Sequence, residues 1–482
     1  MASPATNYVD GEWTDAASGE TFEVRNPANT DEVVAEFAES AAEDTETAIE
    51  AAAAATDAWA ATPGSERGAI LNRTAQRLEA RKEELTEQLT REEGKTLSES
   101  APEVQRAIDI FYYYAQKAID YGGEVKPAGG TNRRVSTRKE PMGVAGLITP
   151  WNYPVAIPAW KLAPALATGN TVVIKPATLA PSLGKAIVEC LDDAGIPDGV
   201  VNLVAGPGSE VGATITEHDA VDAVSFTGSS AVGHHVYDAA TDGGKRIQTE
   251  MGGKNPTVVT SRADVDRAVD IVAAGAFGVT GQACTATSRA IVHDDLYDEF
   301  VEGLVAHAES IEVGPGLDDP DMGPQASADE LEGTLEYVDI AVDEGATLET
   351  GGERVDVDGA DGYFVSPAVF SDVDPSMRIA QEEVFGPAVA VIRVEDFDDA
   401  VEVANGVDYG LSASVVTDDL SEANRYVDAA EAGVVKVNEK TTGLELHVPF
   451  GGVKNSSSNT YREQGEAGMD FFTTTKTVYT NY

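Results

Sequence analysis

The stretch GVAGLITPWNYPVAIPAWKLAPALATGNTVVIKP, residues 143–176, decides the architecture. GVAGLITP is a continuous apolar run, TVVIKP is another, and IPAWKLAPALATG between them reads as a helix ended by Gly169. Apolar strands without polar alternation are covered on both faces, which is the signature of parallel pairing. The alternation continues outward. APSLGKAIVECLDDAG reads as a helix ended by Gly195, VVNLVAG as a strand and SEVGATITEH as a helix. AVSFTG is then a strand, SAVGHHVYDAAT a helix and KRIQTEMG a strand. Such alternation predicts an α/β fold with a doubly wound parallel sheet, whose ligands bind at the carboxyl ends of its strands.

Upstream, residues 40–118 are Ala-rich with an apolar helical rhythm. YGGEVKPAGGTNRRVSTRKEP (121–141) is polar and Gly-rich, and predicts a hairpin excursion from the core. Downstream, a second α/β segment spans roughly 254–440. In it ADVDRAVDIVAAGAFGVT (263–280) reads as a helix, SRAIVHDD as a strand and LYDEFVEGLVAHAESI as a helix. The tail FFTTTKTVYTNY alternates polar with β-branched or aromatic residues, as an edge strand does. Hairpin and tail together suggest assembly by strand addition; the alternative is a tail folded onto its own domain.

The chain has 482 residues, enough for two or three domains. Its 42% hydrophobic and 7% aromatic content supports a large core. No apolar run reaches the roughly 20 residues of a membrane-spanning helix, and MASPATNYVDGEWTDAASGE lacks the pattern of a secretory signal. Two cysteines do not make a disulfide framework, so a reducing cytoplasm is expected. The net charge is −50, from 83 acidic and 33 basic residues spread along the chain. That excludes general nucleic-acid binding and predicts adaptation to a salt-rich cytoplasm.

Six short motifs carry chemistry. In TPWNYP (149–154), prolines hold an extended loop that presents Asn152, either as an oxyanion donor or in an Asx turn. In VIKPAT (173–178), Lys175 ends a strand, where it could meet a phosphate or ribose, or simply water. FTGSSAVG (226–233) places Gly228, Ser229 and Gly233 at a helix N-terminus, an anion site of backbone N–H groups. In TEMGGKNP (249–256), Glu250 precedes two glycines, as a general base or as a surface carboxylate in a turn. GQACTATSR (281–289) contains Cys284 in a small, polar setting, and by itself leaves reactive thiol and packing residue equally open. Cys190 shares a helix face with Leu183, Ile187 and Leu191 and reads as core. In QEEVFGP (381–387), Glu383 could grip a ribose, with Phe385 against a flat ring, or the acids could cap a turn. The six His are scattered and neither HExxH nor CxxC occurs, so no metal is expected. A GxSxG elbow is absent, which disfavours a serine hydrolase.

In this order and with these separations, the motifs resemble the aldehyde dehydrogenase superfamily from VDGEWTDAASGETFEVRNPA to REQGEAGMDFFTTTKTV. The resemblance implies a cofactor domain of residues 1–118 and 139–252 and a catalytic α/β domain of residues 253–440. It adds a small β oligomerisation arm of residues 119–138 and 465–482. Cys284 would be the nucleophile and Asn152 the oxyanion donor. Glu250 would activate water, and Glu463 in REQG would relay its proton. Thr149, Pro150, Trp151, Lys175, Ala177, Thr178, Gly228, Ser229, Gly233, Glu383 and Phe385 would meet the cofactor. Tyr153, Trp160, Thr285 and Phe450 would line the path of a small-molecule aldehyde. The protein would be a homotetramer or homodimer.

Glu250 favours hydrolysis over transfer to coenzyme A, because acylating members of the family typically lack that base. The family often carries Glu where this chain has Thr178, and an acid where it has Ala231. Losing those charges removes repulsion against a 2′-phosphate and favours NADP over NAD. TTGLELHVPFGG (441–452) followed by SSSNTYREQG (456–465) resembles the branch that oxidises 2-oxoglutarate semialdehyde (2,5-dioxopentanoate) in pentose or sugar-acid breakdown. Succinate semialdehyde or a general aliphatic aldehyde is the alternative substrate. A redox-sensing thiol protein would want a resolving cysteine, and a non-catalytic relative would have lost Cys284 or Glu250.

Overall fold

The computed structural model describes residues 6–482. Two seven-stranded sheets organise it. In the first, the strands run in the spatial order Arg246–Glu250, Ala223–Thr227, Val144–Ile148, Thr171–Lys175, Val201–Leu203, Asn7–Val9, Glu12–Thr14. The first five are parallel, and the N-terminal hairpin adds antiparallel to the edge at Leu203. Every residue of Val144–Ile148 and Thr171–Lys175 is buried, as their unbroken apolar runs require. The helix Ala156–Thr168 between them is buried along its whole length and stops at Gly169, whose φ of 96° suits glycine. Four helices, Ala42–Ala61, Gly64–Ala80, Lys82–Glu93 and Leu97–Asp120, make up the helical region expected over 40–118.

From Val144–Ile148 the chain winds outward to Val201–Leu203, then returns to the other flank as Ala223–Thr227. The winding direction therefore reverses between Val144–Ile148 and Ala223–Thr227, and a crevice opens there beyond the strand ends. Residues 149–152 and 228–229 flank that crevice.

The second sheet has the order Thr347–Thr350, Ala368–Ser371, Ala388–Val394, Thr287–His293, Asn255–Val259, Ser412–Val416, Val434–Val437, antiparallel only at its first pair. Glu250 ends the last strand of the first sheet and Asn255 begins a central strand of the second, so the TEMGGKNP segment is the seam between them.

The tail strand Thr473–Asn481 pairs antiparallel with Arg133–Pro141 of the same chain, and Val125–Lys126 completes this three-stranded sheet. The predicted hairpin and tail thus pair with each other, which leaves one tail edge free. The helix Gly465–Phe471 lies outside this sheet: Met469, Phe471 and Phe472 are buried in the first core, and alternation begins only at Thr473. No helix among the described residues is long and apolar enough to cross a membrane.

Of the described acids only Glu92, Glu93, Glu103, Glu250 and Glu463 are buried. The remainder charge the surface. Their mutual repulsion acts over about 10 Å at 0.1 M salt but only about 3 Å at 1 M. Thermal unfolding followed from 0.1 to 2 M KCl is therefore expected to show a steep rise in Tm. A Tm independent of KCl would argue that the surface charge carries no salt adaptation.

Candidate active site

Asn152 is presented by the loop after Val144–Ile148 and is buried. Its Nδ2 donates to the Gln282 carbonyl at 3.0 Å, which ties it to the Cys284 loop and leaves its second N–H free. The Asn152 carbonyl accepts from the buried Lys95 ammonium, which pairs with Glu103 at 2.6 Å. The other Glu103 oxygen accepts the Val155 and Ala156 N–H groups at 3.1 and 3.2 Å. A buried charged pair therefore holds the whole loop from behind.

The segment before Cys284 departs from the predicted helix. The helix Val265–Ala276 ends early, and Val279, Thr280 and Gly281 take φ of 54°, 54° and 68°. A left-handed β-branched residue costs about 1–3 kcal/mol and persists only where its surroundings enforce it. Here Val279 N–H donates to Glu99 Oε1 at 2.6 Å, and Thr280 Oγ1 donates to the Gly323 carbonyl at 3.1 Å. Beyond the turn, Asn255 Nδ2 donates to the Cys284 and Ala286 carbonyls at 2.8 Å each. Gly253 is forced by the same closeness: a Cβ there would lie 2.6 Å from the Cys284 carbonyl oxygen.

Cys284 is half-buried, and two cavities meet at it. The first, about 210 Å³, is lined by Pro150, Trp151, Asn152, Gly228, Ser229, Glu383 and Phe385, all predicted cofactor or catalytic positions. It also touches Thr227, Met251, Gly252 and Glu330, which the sequence did not single out. Trp151 and Phe385 stand edge to face, 5.4 Å apart. The buried Thr149 and Thr227 hydroxyls beside the crevice have no partner. The helix Ser230–Asp242 opens with no side-chain cap, so its first N–H groups are free. Unpaired donors at a crevice of this kind fit a phosphate-bearing cofactor. Gly233 has a packing role: a Cβ there would lie 2.4 Å from the Met251 sulfur. Lys175, Ala177 and Thr178 lie outside this cavity, at the end of the neighbouring strand, with Thr178 exposed. Burial brings the Lys175 ammonium down to about 8.

The second cavity, about 440 Å³, contains all four predicted substrate positions, Tyr153, Trp160, Thr285 and Phe450. Glu99, Glu103, Arg106 and Lys440 line it as well. Its apolar wall includes Trp160 and Phe450, with ring centres 6.0 Å apart.

Glu250 and Glu463 line neither cavity; they lie buried behind. Glu250 Oε2 accepts the Gly452 N–H at 2.9 Å, while Oε1 has no partner. Glu463 pairs with the buried Lys161, whose ammonium also donates to Ser225 Oγ at 2.7 Å. Its Oε2 is likewise unpaired. Burial, then the nearby Glu463 charge, holds the Glu250 carboxyl well above its usual range. Burial, then Glu383, Glu250 and Glu463, raises the Cys284 thiol well above its ordinary value. Glu383 is pushed up to about 7 by burial and accepts the Gly253 N–H at 3.0 Å. Cys190 is buried in a helix, with its thiol pushed up to about 11.

The chain is 62% identical, over the full length of both, to an alpha-ketoglutarate semialdehyde dehydrogenase of Haloferax volcanii. A 2,5-dioxopentanoate dehydrogenase of Saccharolobus solfataricus is 44% identical, with 96% of each chain covered. Among solved structures, a betaine aldehyde dehydrogenase from Staphylococcus aureus in complex with NAD+ superposes with a TM-score of 0.96 at 37% identity, covering 99% of this chain and 95% of that one. Residues 13–478 match the Aldehyde dehydrogenase family, a span that takes in every site residue above, and the chain belongs to that family.

Proposed function

We propose that the chain oxidises 2-oxoglutarate semialdehyde to 2-oxoglutarate, with NADP preferred to NAD, through a covalent intermediate on Cys284. One observation carries this reading: Cys284 is where the crevice beyond the first sheet's strand ends and the aromatic-walled cavity meet. The names of the relatives at 62% and 44% identity support the substrate.

Trp151, Gly228, Ser229, Glu383 and Phe385 would hold the nicotinamide cofactor, whose chemistry when bound is to accept a hydride. The Cys284 thiol gives up its proton to solvent water, and Sγ bonds to the aldehyde carbon. The carbonyl oxygen becomes an oxyanion, held by the free Asn152 N–H and the Cys284 backbone N–H. Loss of hydride from that carbon re-forms the C=O bond and leaves a thioester. Glu250 then takes a proton from water, the resulting hydroxide adds to the carbonyl, and the C–S bond breaks to release the acid. Glu463, paired with Lys161 and near enough to raise the Glu250 carboxyl, would relay that proton.

NADP preference rests on Thr178, exposed at the rim with no carboxylate to repel a 2′-phosphate. The free tail edge supports a homo-oligomer joined through the three-stranded sheet. The high acid content fits a salt-rich cytoplasm as the working environment. The test is kcat/KM for a panel of aldehydes with each cofactor in molar KCl. The expected order places 2-oxoglutarate semialdehyde above succinate semialdehyde and unsubstituted aliphatic aldehydes, with NADP ahead. A strong NAD preference, or an uncharged aldehyde as best substrate, would overturn the corresponding part.

A further inference from the structure

The cavity on the substrate side of Cys284 is walled by Tyr153, Trp160 and Phe450, yet four charged side chains also reach it: Glu99, Glu103, Arg106 and Lys440. The two carboxylates are committed. Glu99 accepts the Val279 N–H with one oxygen and the Thr96 N–H with the other, at 2.6 and 3.2 Å. Glu103 serves Lys95 with one oxygen and the Val155 and Ala156 N–H groups with the other.

The two cations are not committed to any charge. Among the described residues neither Arg106 nor Lys440 has a carboxylate within ion-pair distance. Arg106 is half-buried. It donates to the Leu444 carbonyl and to Gln464 Oε1, both at 2.7 Å. Glu445 and Asp109 act on it only through space. Two neutral acceptors thus fix the guanidinium plane, and the rest of its five N–H donors remain for a ligand. A planar guanidinium with free donors matches a carboxylate bidentately. Partial burial matters at molar salt, where an exposed ion pair is screened over about 3 Å.

We propose that Arg106, backed by the exposed Lys440, anchors the carboxylate at the far end of the substrate chain, with Cys284 taking the aldehyde end. This rests on the reading that the substrate is an aldehyde bearing a distal carboxylate. Arg106 would then select for that class, while the aromatic wall accepts the carbon chain between the two ends.

The test uses the full-length enzyme with Arg106→Met, Arg106→Lys and Lys440→Met. Turnover is measured with 2-oxoglutarate semialdehyde and with pentanal, its uncharged counterpart of equal length. Binding of 2-oxoglutarate is measured separately by calorimetry. R106M is expected to raise KM for the semialdehyde roughly 10- to 100-fold, as loss of a charge-assisted pair does, with kcat and the pentanal kinetics little changed. R106K should recover part of that loss, and K440M should show a smaller effect. 2-Oxoglutarate should bind the wild type and not R106M. Equal losses on both aldehydes would mean that Arg106 only braces the Leu444 and Gln464 segments, and would overturn the proposal. So would unaltered 2-oxoglutarate binding by R106M. A wild type that favours pentanal would defeat the substrate reading, while the calorimetry still decides whether Arg106 is a carboxylate site.

Discussion

Replacing Cys284 with alanine is expected to lower aldehyde oxidation by about 10⁴-fold or more, the scale seen when a covalent nucleophile is removed. A loss of that size corresponds to about 5.5 kcal/mol of transition-state stabilisation. The structure argues for so large an effect because no other thiol can substitute. Cys190 is 1% exposed within the helix Ser182–Asp193 and lines neither cavity, whereas Cys284 lines both. The fold should tolerate the change, since Asn255 and Asn152 hold the loop by the Cys284 and Gln282 carbonyls and not through Sγ. Affinity for the nicotinamide cofactor, followed by fluorescence, should therefore stay near the wild-type value while turnover disappears. Iodoacetamide should modify Cys284 and leave Cys190 untouched in the folded protein. Cys190→Ala should retain activity at a stability cost of about 1 kcal/mol. Turnover by C284A within tenfold of wild type would end the covalent mechanism.

The sequence was most legible where local chemistry and fold coincide. The unbroken apolar strands of 143–176 announced a parallel sheet, and the residues just past such strands are those that line the crevice. Asn152, Gly228 and Ser229 could be located in this way. Cys284 could not. It precedes a strand instead of following one, and its loop is held by Asn152, Asn255 and Glu99, which lie in three different segments of the chain. Only the order of motifs shared with a family pointed to it. The left-handed turn at Val279 and Thr280 was hidden for a physical reason: β-branched residues carry no left-handed signal, so the apolar rhythm read straight through as helix. Arg106 was hidden differently. On the amphipathic helix Leu97–Asp120 it looks like any solvated face residue until the loop around Leu444 closes over it. The N-terminal hairpin of Asn7–Val9 and Glu12–Thr14 has strands too short for periodicity to reveal.

Replacing Glu250 with glutamine should separate the two halves of the reaction. The thioester should still form, because Sγ addition and hydride loss need Cys284 and Asn152, and its hydrolysis should slow by roughly 10²- to 10⁴-fold, the scale of a lost general base. Rapid mixing would then show a burst of reduced cofactor, about one per Cys284 thiol, followed by a slow phase, with acyl-enzyme detectable by mass spectrometry. The pH profile gives an independent check. The folded Glu250 carboxyl ionises well above the usual carboxylate range, because burial and Glu463 oppose its charge. Wild-type turnover should therefore rise with pH as the base ionises, and the slow phase of E250Q should lose that limb. Stability should move the other way. A raised folded pKa means that the contribution of the protonated form is fully present below the unfolded carboxyl value, about 4.3, and is lost as pH rises through the folded value. Glutamine cannot ionise and keeps an acceptor for the Gly452 N–H. E250Q should accordingly match wild type below about pH 4 and be increasingly more stable as pH rises from there through neutrality. A variant that turns over without a burst, at the wild-type rate and with the wild-type pH limb, would show that the hydrolytic base lies elsewhere. Because stability and activity are predicted to change in opposite directions, a merely misfolded variant could not imitate the expected result.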